Sequence, residues 1–297
     1  FNASYNSKAG VTGFGVDFAK VFLSSNNLGN REREMITVFL EHRFKLANNK
    51  LDITPGVAGT YFSDFDFHAF PGIDVGYRIN SHLKLYANAG YTYRIPTYTD
   101  LFYSDPTTLG NENLNPEEAI SEEIGVTFSH SNIDISAALF NRNSTNIIDY
   151  VKNMETDLWQ ATNIQELNSY GLETNIKYRF NVLGHQQRMQ LGYTYLKEAL
   201  DASRFAFSRY SINSLKHHLT ITNHSQFLKN VSHSVVYKFA ERTNGETYSV
   251  VDLKITLNVK AFEFSIIGNN IFNEIYTETN QVPMPKGNVL LDVGYKF

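Results

Sequence analysis

The chain has 297 residues, and its 26 Lys and Arg against 30 Asp and Glu give a formal charge of −4. This balance lacks the basic surplus of a nucleic-acid-binding protein, and the absence of cysteine excludes disulfides, thiolate metal sites and cysteine nucleophiles. Aromatic residues make up 14% of the chain, and no run of about 18 apolar residues occurs, so a transmembrane helix is excluded.

Alternation of apolar and polar residues dominates the chain and predicts strands from one end to the other. The clearest segments are 36–46, 82–94, 251–260 and 288–297, and Val289, Leu291, Val293, Tyr295 and Phe297 share one face of the last. Such alternation over about ten residues gives a strand one apolar and one polar face. Similar strands are predicted near 1–6, 11–22, 51–62, 68–79, 117–129, 132–151, 169–180, 187–198, 213–227, 231–240 and 262–271, about fifteen in all.

The predicted connections alternate in length along the chain. Short turns fall at 7–10, 47–50, 80–82, 129–132, 181–186, 228–230 and 260–261, and longer loops at 23–33, 63–67, 95–116, 152–168, 199–212, 241–247 and 272–287. This asymmetry, with strands of about ten residues or more, predicts an all-β fold, a transmembrane antiparallel β-barrel. A lipocalin-like protein or a sandwich also alternates, with its apolar face as the core, but typical soluble strands are shorter. An odd number of strands leaves an unpaired edge, so residues 1–297 are expected to form one domain that is incomplete at the N-terminus.

Three motifs resemble the hallmarks of TonB-dependent outer-membrane receptors. Residues 94–101 read Arg-x-Pro-x-x-x-x-Leu, residues 110–117 read Gly-Asn-x-x-Leu-x-Pro-Glu, and residues 270–276 read Asn-Ile-Phe-Asn-x-x-Tyr. They occur in the family's order, and the chain is identified as a member. The resemblance implies that the chain supplies the C-terminal fifteen or so strands of a 22-stranded barrel. The N-terminal plug domain and the energy-coupling box then lie outside this chain.

The middle of the chain is most similar to the family's cobalamin receptors. The stretch from Leu139 to Tyr150 and the following segment from Asn163 to Glu173 carry this likeness. The Gly171-Leu172-Glu173 element within it is common to many members and identifies the family and not the cargo, and residues 51–152 resemble receptors of gut Bacteroidetes. The implied function is TonB-coupled import of cobalamin through the outer membrane of a Gram-negative bacterium. A haem or ferric-siderophore receptor and a passive porin stay open as alternatives. Implied partners are the TonB complex, outer-membrane lipids, the barrel assembly machinery and a surface lipoprotein.

Aromatic and basic residues of the long loops are the candidate cargo contacts, since rigid rings give contact area at little entropic cost. They are Tyr98, Phe102, Tyr103, Trp159, Arg204, Phe205, Phe207, Arg209, Tyr210, Tyr248 and Tyr276. Loop packing or an interfacial aromatic girdle is the alternative role. Tyr295 and Phe297 resemble the family's assembly signal.

No protease, hydrolase or P-loop motif occurs, so neither catalytic residues nor a resident cofactor are predicted. Asp64, Asp66 and His68 are spaced like cation ligands, but a solvated acidic loop is the favoured interpretation and no metal site is predicted. The segment from Gly110 to Pro116 is interpreted as a turn before a strand, with cargo binding as the alternative.

Overall fold

The computed structural model describes residues 1–200, 205–209, 215–278 and 282–297. Most of them lie in β-strands that pair antiparallel, and the described part contains one short helix, α1 (Tyr98–Phe102). None of the helical structure in these residues is long and apolar enough to cross a membrane. The strands are β1 (Asn2–Ser7), β2 (Gly10–Ser25), β3 (Gly29–Leu46), β4 (Leu51–Phe62), β5 (Asp66–Arg78), β6 (Leu83–Arg94), β7 (Thr108–Leu109), β8 (Glu117–His130), β9 (Ile133–Lys152), β10 (Trp159–Val182), β11 (His185–Leu200), β12 (Phe207–Ser208), β13 (Leu215–Leu228), β14 (Val231–Arg242), β15 (Thr247–Val259), β16 (Phe262–Asn269) and β17 (Asn288–Tyr295).

The described strands agree with the predicted number, because fifteen of the 17 have six residues or more. The two short ones, β7 and β12, lie inside predicted loops. Four predicted long loops are shorter in the structure. At 152–168, β9 ends at Lys152 and β10 begins at Trp159, and at 241–247, β14 ends at Arg242 and β15 begins at Thr247. At 23–33, β2 runs to Ser25 and β3 begins at Gly29, and at 63–67, β4 ends at Phe62 and β5 begins at Asp66. The β2–β3 ladder continues outward because residues beyond the apolar band still pair across the strands, as Lys20 does with Glu34.

The chain divides into two compact units. The first comprises residues 1–126, 139–170 and 198–212, and the second comprises residues 127–138, 171–197 and 213–297. In the first unit, β1 to β6 pair in sequence order as an antiparallel meander, while β7 pairs with β10 and β12 with β9. In the second unit, β11 pairs with β13, and β13 to β17 pair in order. The single domain 1–297 stays a prediction.

The apolar face of the first unit is exposed. Phe14, Val16 and Phe18 pair across β2 and β3 with Leu40, Val38 and Ile36, and all six side chains are exposed. Leaving such side chains in water forfeits about 1.5–3 kcal/mol each relative to burial. This face is therefore not the buried core of a soluble protein. It has the apolar character that a lipid-facing barrel surface needs.

The second unit repeats the pattern on its own strands. Leu257 of β15 pairs with Phe264 of β16, which pairs with Val293 of β17, and all three are exposed. The opposite face carries polar residues such as Thr256, Ser265 and Asp292. In a transmembrane barrel this polar face lines the interior.

Candidate functional site: cation–aromatic clusters in the loops

Residues 95–116, which follow β6, form a segment that we call the strap. Hydrogen bonds among its own residues hold its conformation. Thr97 caps α1: its Oγ1 accepts from Asp100 N at 3.1 Å, and Asp100 Oδ2 accepts from Thr97 N at 2.9 Å, a reciprocal capping box. Arg94 donates two hydrogen bonds of 2.6 Å to the Glu117 carboxylate. The Arg94 and Glu117 positions of the two family motifs therefore hold the two ends of the strap together.

Gly110 to Pro116 completes the strap as a tight return. A Cβ on Gly110 would lie 2.8 Å from the carbonyl carbon of Leu101, so only glycine allows this approach. Gly110 N donates to Tyr103 O at 2.6 Å. Further along, Asn163 accepts from Asn115 N and donates to Asn115 O, each at 2.8 Å. This geometry supports the structural role of the segment over a cargo contact.

One set of side chains, at the end of β9, the start of β10 and around β12, forms alternating cations and rings, which we call the Trp159 cluster. Arg209 lies 5.2 Å from the ring of Tyr150 and 4.9 Å from that of Trp159. Lys152 lies 4.9 Å from the ring of Trp159 and 5.3 Å from that of Phe207. Among the described residues neither cation forms an ion pair with a carboxylate. Lys152 Nζ donates to the Glu155 carbonyl at 2.7 Å and Arg209 donates to the Thr108 hydroxyl at 3.3 Å, so both cations lie on aromatic faces with uncharged hydrogen-bond acceptors.

A second set in the same unit, the Phe102 cluster, pairs one of its two arginines with a carboxylate, whereas Arg31 donates to the Leu28 carbonyl at 2.9 Å. Arg31 lies 3.5 Å from the ring of Phe102, and Arg33 lies 4.9 Å from that of Tyr98 and 5.5 Å from that of Phe65. Arg33 also forms an ion pair of 2.8 Å with Asp64. Asp64 is thereby engaged by an arginine, and no three acidic or histidine side chains converge on a metal-sized site in the described ranges.

A hydrophobic core underlies both clusters. It consists of Leu101, Leu114, Ile148, Tyr150 and Ala161, and Phe65, Phe102 and Trp159 pack against it. Because these three rings pack against the core, their positions are held. The Lys and Arg side chains that lie over the rings are therefore held as well.

The Trp159 cluster depends on β12, which brings the segment Phe207–Arg209 to the end of β9. Ser208 pairs with Val151, and Arg209 N donates to Tyr150 O at 3.0 Å. The carboxylate of Asp149 is fully buried; it accepts from Tyr150 N at 2.6 Å and from the Ser208 hydroxyl. This buried acceptor joins the strand to the loop that carries Phe207 and Arg209.

Tyr103 and Tyr98 occupy different settings within the strap. Tyr103 donates from its hydroxyl to Asp105 Oδ2 at 2.9 Å, and the pKa of Asp105 is lowered chiefly by the Thr107 backbone N–H. The Tyr98 hydroxyl is buried without a hydrogen-bond partner among the described residues, and burial raises the pKa of Tyr98.

In the second unit, Tyr248 and Tyr276 belong to a self-contained cluster. Their rings lie 4.6 Å apart, and Tyr248 is 7% exposed. Lys238 lies over both rings and forms an ion pair with Glu278, which lowers the pKa of Glu278. Arg242 donates to the Thr277 carbonyl at 3.2 Å. The charges here are used within the cluster, and they hold Tyr276, Thr277 and Glu278 against β14.

The third motif is a turn built on two asparagines with positive φ, Asn270 at 48° and Asn273 at 56°. Asn270 is buried, donates to Glu274 O and accepts from Glu274 N, each at 2.8 Å. Downstream, Tyr295 packs 5.0 Å from Phe262 and 5.1 Å from Phe297, and both terminal aromatics are exposed.

Of the predicted cargo contacts, Trp159, Phe207 and Arg209 lie together in the Trp159 cluster. Tyr98 and Phe102 lie together in the Phe102 cluster. Phe205 is half-buried beside β12, while Arg204 and Tyr210 lie outside the described residues. Sequence reasoning missed several members: Tyr150, Lys152, Arg31, Arg33 and Phe65. Tyr150 and Lys152 lie on β9. In the sequence they belong to a pattern of alternating residues that indicates a strand and gives no sign of a cluster.

Comparison with known proteins identifies the class. The family described as "TonB dependent receptor-like, beta-barrel" matches residues 1–271, and the chain belongs to this family of outer-membrane receptors and transporters. Its sequence is 32% identical over 124 residues to a vitamin B12 transporter BtuB of Photobacterium profundum, covering 40% of this chain and 19% of the relative. A vitamin B12 transporter BtuB of Vibrio cholerae is 23% identical over 239 residues, 76% of this chain and 36% of the relative.

Solved structures confirm the fold. The siderophore receptor PirA of Pseudomonas aeruginosa superposes with a TM-score of 0.78 at 16% identity, over 100% of this chain and 54% of that one. The copper transporter OprC superposes with a TM-score of 0.79 at 14% identity, over 100% of this chain and 55% of that one. The chain therefore spans about half the length of these structures and less of the curated relatives. Those relatives come from Photobacterium and Vibrio, and an origin in Bacteroidetes stays a prediction.

Proposed function

We propose that this chain is the barrel part of an outer-membrane receptor that captures cobalamin and imports it with TonB-coupled energy. Family membership supports the class of receptor, and the similarity to vitamin B12 transporters supports the cargo. Receptors for siderophores and copper share the fold at 12–16% identity, a level that carries no argument about cargo.

The observation that carries capture by the loops is the Trp159 cluster. Arg209 and Lys152 keep their positive charge without a carboxylate in the described residues, and three rings back them. A cation held on aromatic faces contributes about 0.5–1 kcal/mol at exposed sites, and about 2 when water is excluded. Such a surface suits a bulky cargo that has flat parts and several hydrogen-bond acceptors.

The deciding experiment is equilibrium binding of cobalamin to the full-length receptor in detergent, with haem and a ferric siderophore as competitors. Saturable binding at nanomolar levels, about −12 kcal/mol, that neither competitor displaces is the expected result. Absence of cobalamin binding would overturn the cargo proposal while leaving the receptor family intact.

The variant Arg209→Gln tests the cluster. Loss of a charged hydrogen bond costs about 1.5–3 kcal/mol, so the Kd for cobalamin should rise by about 10- to 100-fold. The matched control is Lys229→Gln, which removes an exposed cation from a short turn and should leave the Kd unchanged. Equal effects of the two changes would show that net charge, and not the cluster, governs binding.

The remaining partners follow from this proposal. The TonB complex would act through the part of the receptor outside residues 1–297, and outer-membrane lipids would cover the apolar face. Tyr295 and Phe297 are the proposed contacts of the barrel assembly machinery, and a surface lipoprotein is a proposed partner in cargo transfer. A passive porin would conduct solutes without TonB, so cobalamin uptake that persists in a TonB-deficient strain would favour it.

A further inference from the structure

A histidine on the apolar face of the first unit combines with a hydroxyl group and a phenylalanine. His42 of β3 pairs directly with Thr12 of β2, and a hydrogen bond of 2.8 Å joins Thr12 Oγ1 and His42 Nδ1. The ring of Phe44 lies 4.2 Å from that of His42. The next pair along the same face is Phe14 with Leu40, and both are exposed. We call Thr12, His42 and Phe44 the His42 triplet.

The same arrangement occurs in the second unit. His233 of β14 pairs directly with Ser225 of β13, and the ring of Phe227 lies 4.2 Å from that of His233. On its other side, His233 pairs with Ile255 of β15, which is exposed on the apolar face of this unit. The Ser225 hydroxyl donates its proton to Gln187. We call Ser225, Phe227 and His233 the His233 triplet.

Both triplets lie near short turns between strands. β3 ends at Leu46 and β4 begins at Leu51, and β13 ends at Leu228 and β14 begins at Val231. In outer-membrane barrels the short turns face the periplasm. The triplets therefore place polar groups at the periplasmic border of the apolar face, the depth at which a bilayer has its headgroups.

Each histidine has one ring nitrogen without a hydrogen-bond partner. His42 Nε2 and His233 Nδ1 are buried, and no group of the described residues bonds to either. When the Thr12 hydroxyl donates to Nδ1, His42 carries its proton on Nε2, which is then a donor without an acceptor. Buried polar atoms are nearly always paired, so an unpaired one calls for a partner from outside. Anionic oxygens are the strongest acceptors for such a donor.

A phospholipid has both of the parts that this surface lacks. Its phosphate supplies anionic oxygens at headgroup depth, and its acyl chains cover apolar side chains further into the membrane. Leu40 and Val38, which follow His42 along the same face, are 54% and 48% exposed, and Ile255 beside His233 is 43% exposed. The repetition in two units suits a ligand that is present in many copies at one depth of the bilayer. A protein partner would need only one such surface.

We propose that the His42 triplet and the His233 triplet are binding sites for the phosphate headgroups of phospholipids in the periplasmic leaflet of the outer membrane. The histidine donates to a phosphate oxygen, and the phenylalanine ring holds the imidazole by stacking. The exposed apolar residues beyond each histidine receive the acyl chains. The inference rests on the barrel of the proposed function, which sets the orientation in the membrane, and is independent of the cargo.

Native mass spectrometry of the full-length receptor tests the two sites. The receptor is delipidated in detergent and titrated with dioleoyl phosphatidylglycerol, and the retained lipids are counted. His42→Leu and His233→Leu should each raise the Kd of their own site by about tenfold. Each variant is therefore expected to retain one lipid fewer than the native receptor, and the double variant two fewer. The control His82→Leu removes an exposed histidine from a short turn and should retain the native number.

Two comparison probes identify the part of the lipid that is bound. Dioleoylglycerol has the same chains without the phosphate, and inorganic phosphate has no chains, so neither should displace the phospholipid. Displacement by dioleoylglycerol would assign binding to the chains alone, and displacement by inorganic phosphate would assign the sites to the free ion, and either result would overturn the proposal. The native lipid count in both histidine variants, or an equal loss in His82→Leu, would overturn it as well.

A folding check and a cargo check complete the experiment. Heat-modifiable migration in gels confirms that the variant barrels fold. His42→Leu and His233→Leu should bind cobalamin with the native Kd, because both lie away from the loops that are proposed to capture it. Lipid retention and cobalamin binding are separate measurements, so failure of this proposal and failure of the proposed cargo are told apart.

Discussion

Asp149 is a carboxylate that has no contact with solvent, and such a group is tolerated only when hydrogen bonds satisfy it. It accepts from Tyr150 N at 2.6 Å and from the Ser208 hydroxyl. The first bond is local to β9, and the second reaches a loop far along the chain. A single buried residue therefore links the end of β9 to the segment that carries Arg209.

Asp149→Asn should loosen this link, because an amide offers one acceptor oxygen and buries an extra donor. The loss of a charged acceptor costs about 1.5–3 kcal/mol. Hydrogen exchange of the Arg209 amide, which donates to Tyr150 O, should then accelerate by tenfold or more, at about 1.4 kcal/mol per tenfold. Glu155→Gln is the control, since Glu155 is exposed in the adjacent turn. An unchanged Arg209 amide in the Asp149 variant would show that β12 pairing alone holds the loop.

At the scale of elements, the loop segment from Tyr276 to Glu278 is held against β14 by charge. Lys238 holds Glu278, and the hydrogen bond between them lowers the pKa of Glu278 below its ordinary value of 4.5. A carboxyl group with a lowered pKa stabilises the folded state above its ordinary pKa. That stabilisation is lost as the pH falls below 4.5 and through the lowered value.

Acid should therefore release this loop. Met284 N donates to Tyr276 O at 2.9 Å, so exchange of the Met284 amide, corrected for its intrinsic pH dependence, reports the clamp. We expect its protection to fall below pH 4.5 in the native receptor, and to be low at every pH in Glu278→Gln. The exposed Glu246→Gln variant should keep the native profile. Protection in Glu278→Gln that still falls with acid would assign the effect to another carboxyl group.

Strands were predictable where side-chain alternation is local, and this covers β2, β6, β15 and β17. Loop lengths were less predictable, because paired polar residues extend β2 and β3 past their apolar band. The Trp159 cluster was hardest, since it needs long-range contacts such as that of Arg209 with Thr108, 101 positions apart. Alternation identifies two faces of a strand but not the partner that each face meets.

At the scale of the whole molecule, the apolar face of a transmembrane barrel meets lipid and the polar face lines its interior. Two adjacent leucines of β17 separate these environments. Leu291 pairs with Ile266 on the apolar face and is 79% exposed, while Leu290 pairs with Ile267 on the same face as Asp292 and is 53% exposed. They have the same side chain and the same strand, and they differ in the face from which they project.

Leu291→Arg should destabilise the barrel in a bilayer by about 2–4 kcal/mol, the cost of a cation at the lipid midplane, whereas an interior-facing Leu290→Arg avoids that cost. Reversible unfolding by guanidinium in phospholipid vesicles measures both. A soluble β-sandwich with the apolar face as its core would not fold into vesicles at all. Equal destabilisation by the two arginines would mean that β17 does not separate lipid from interior, and it would remove the transmembrane assignment of this strand.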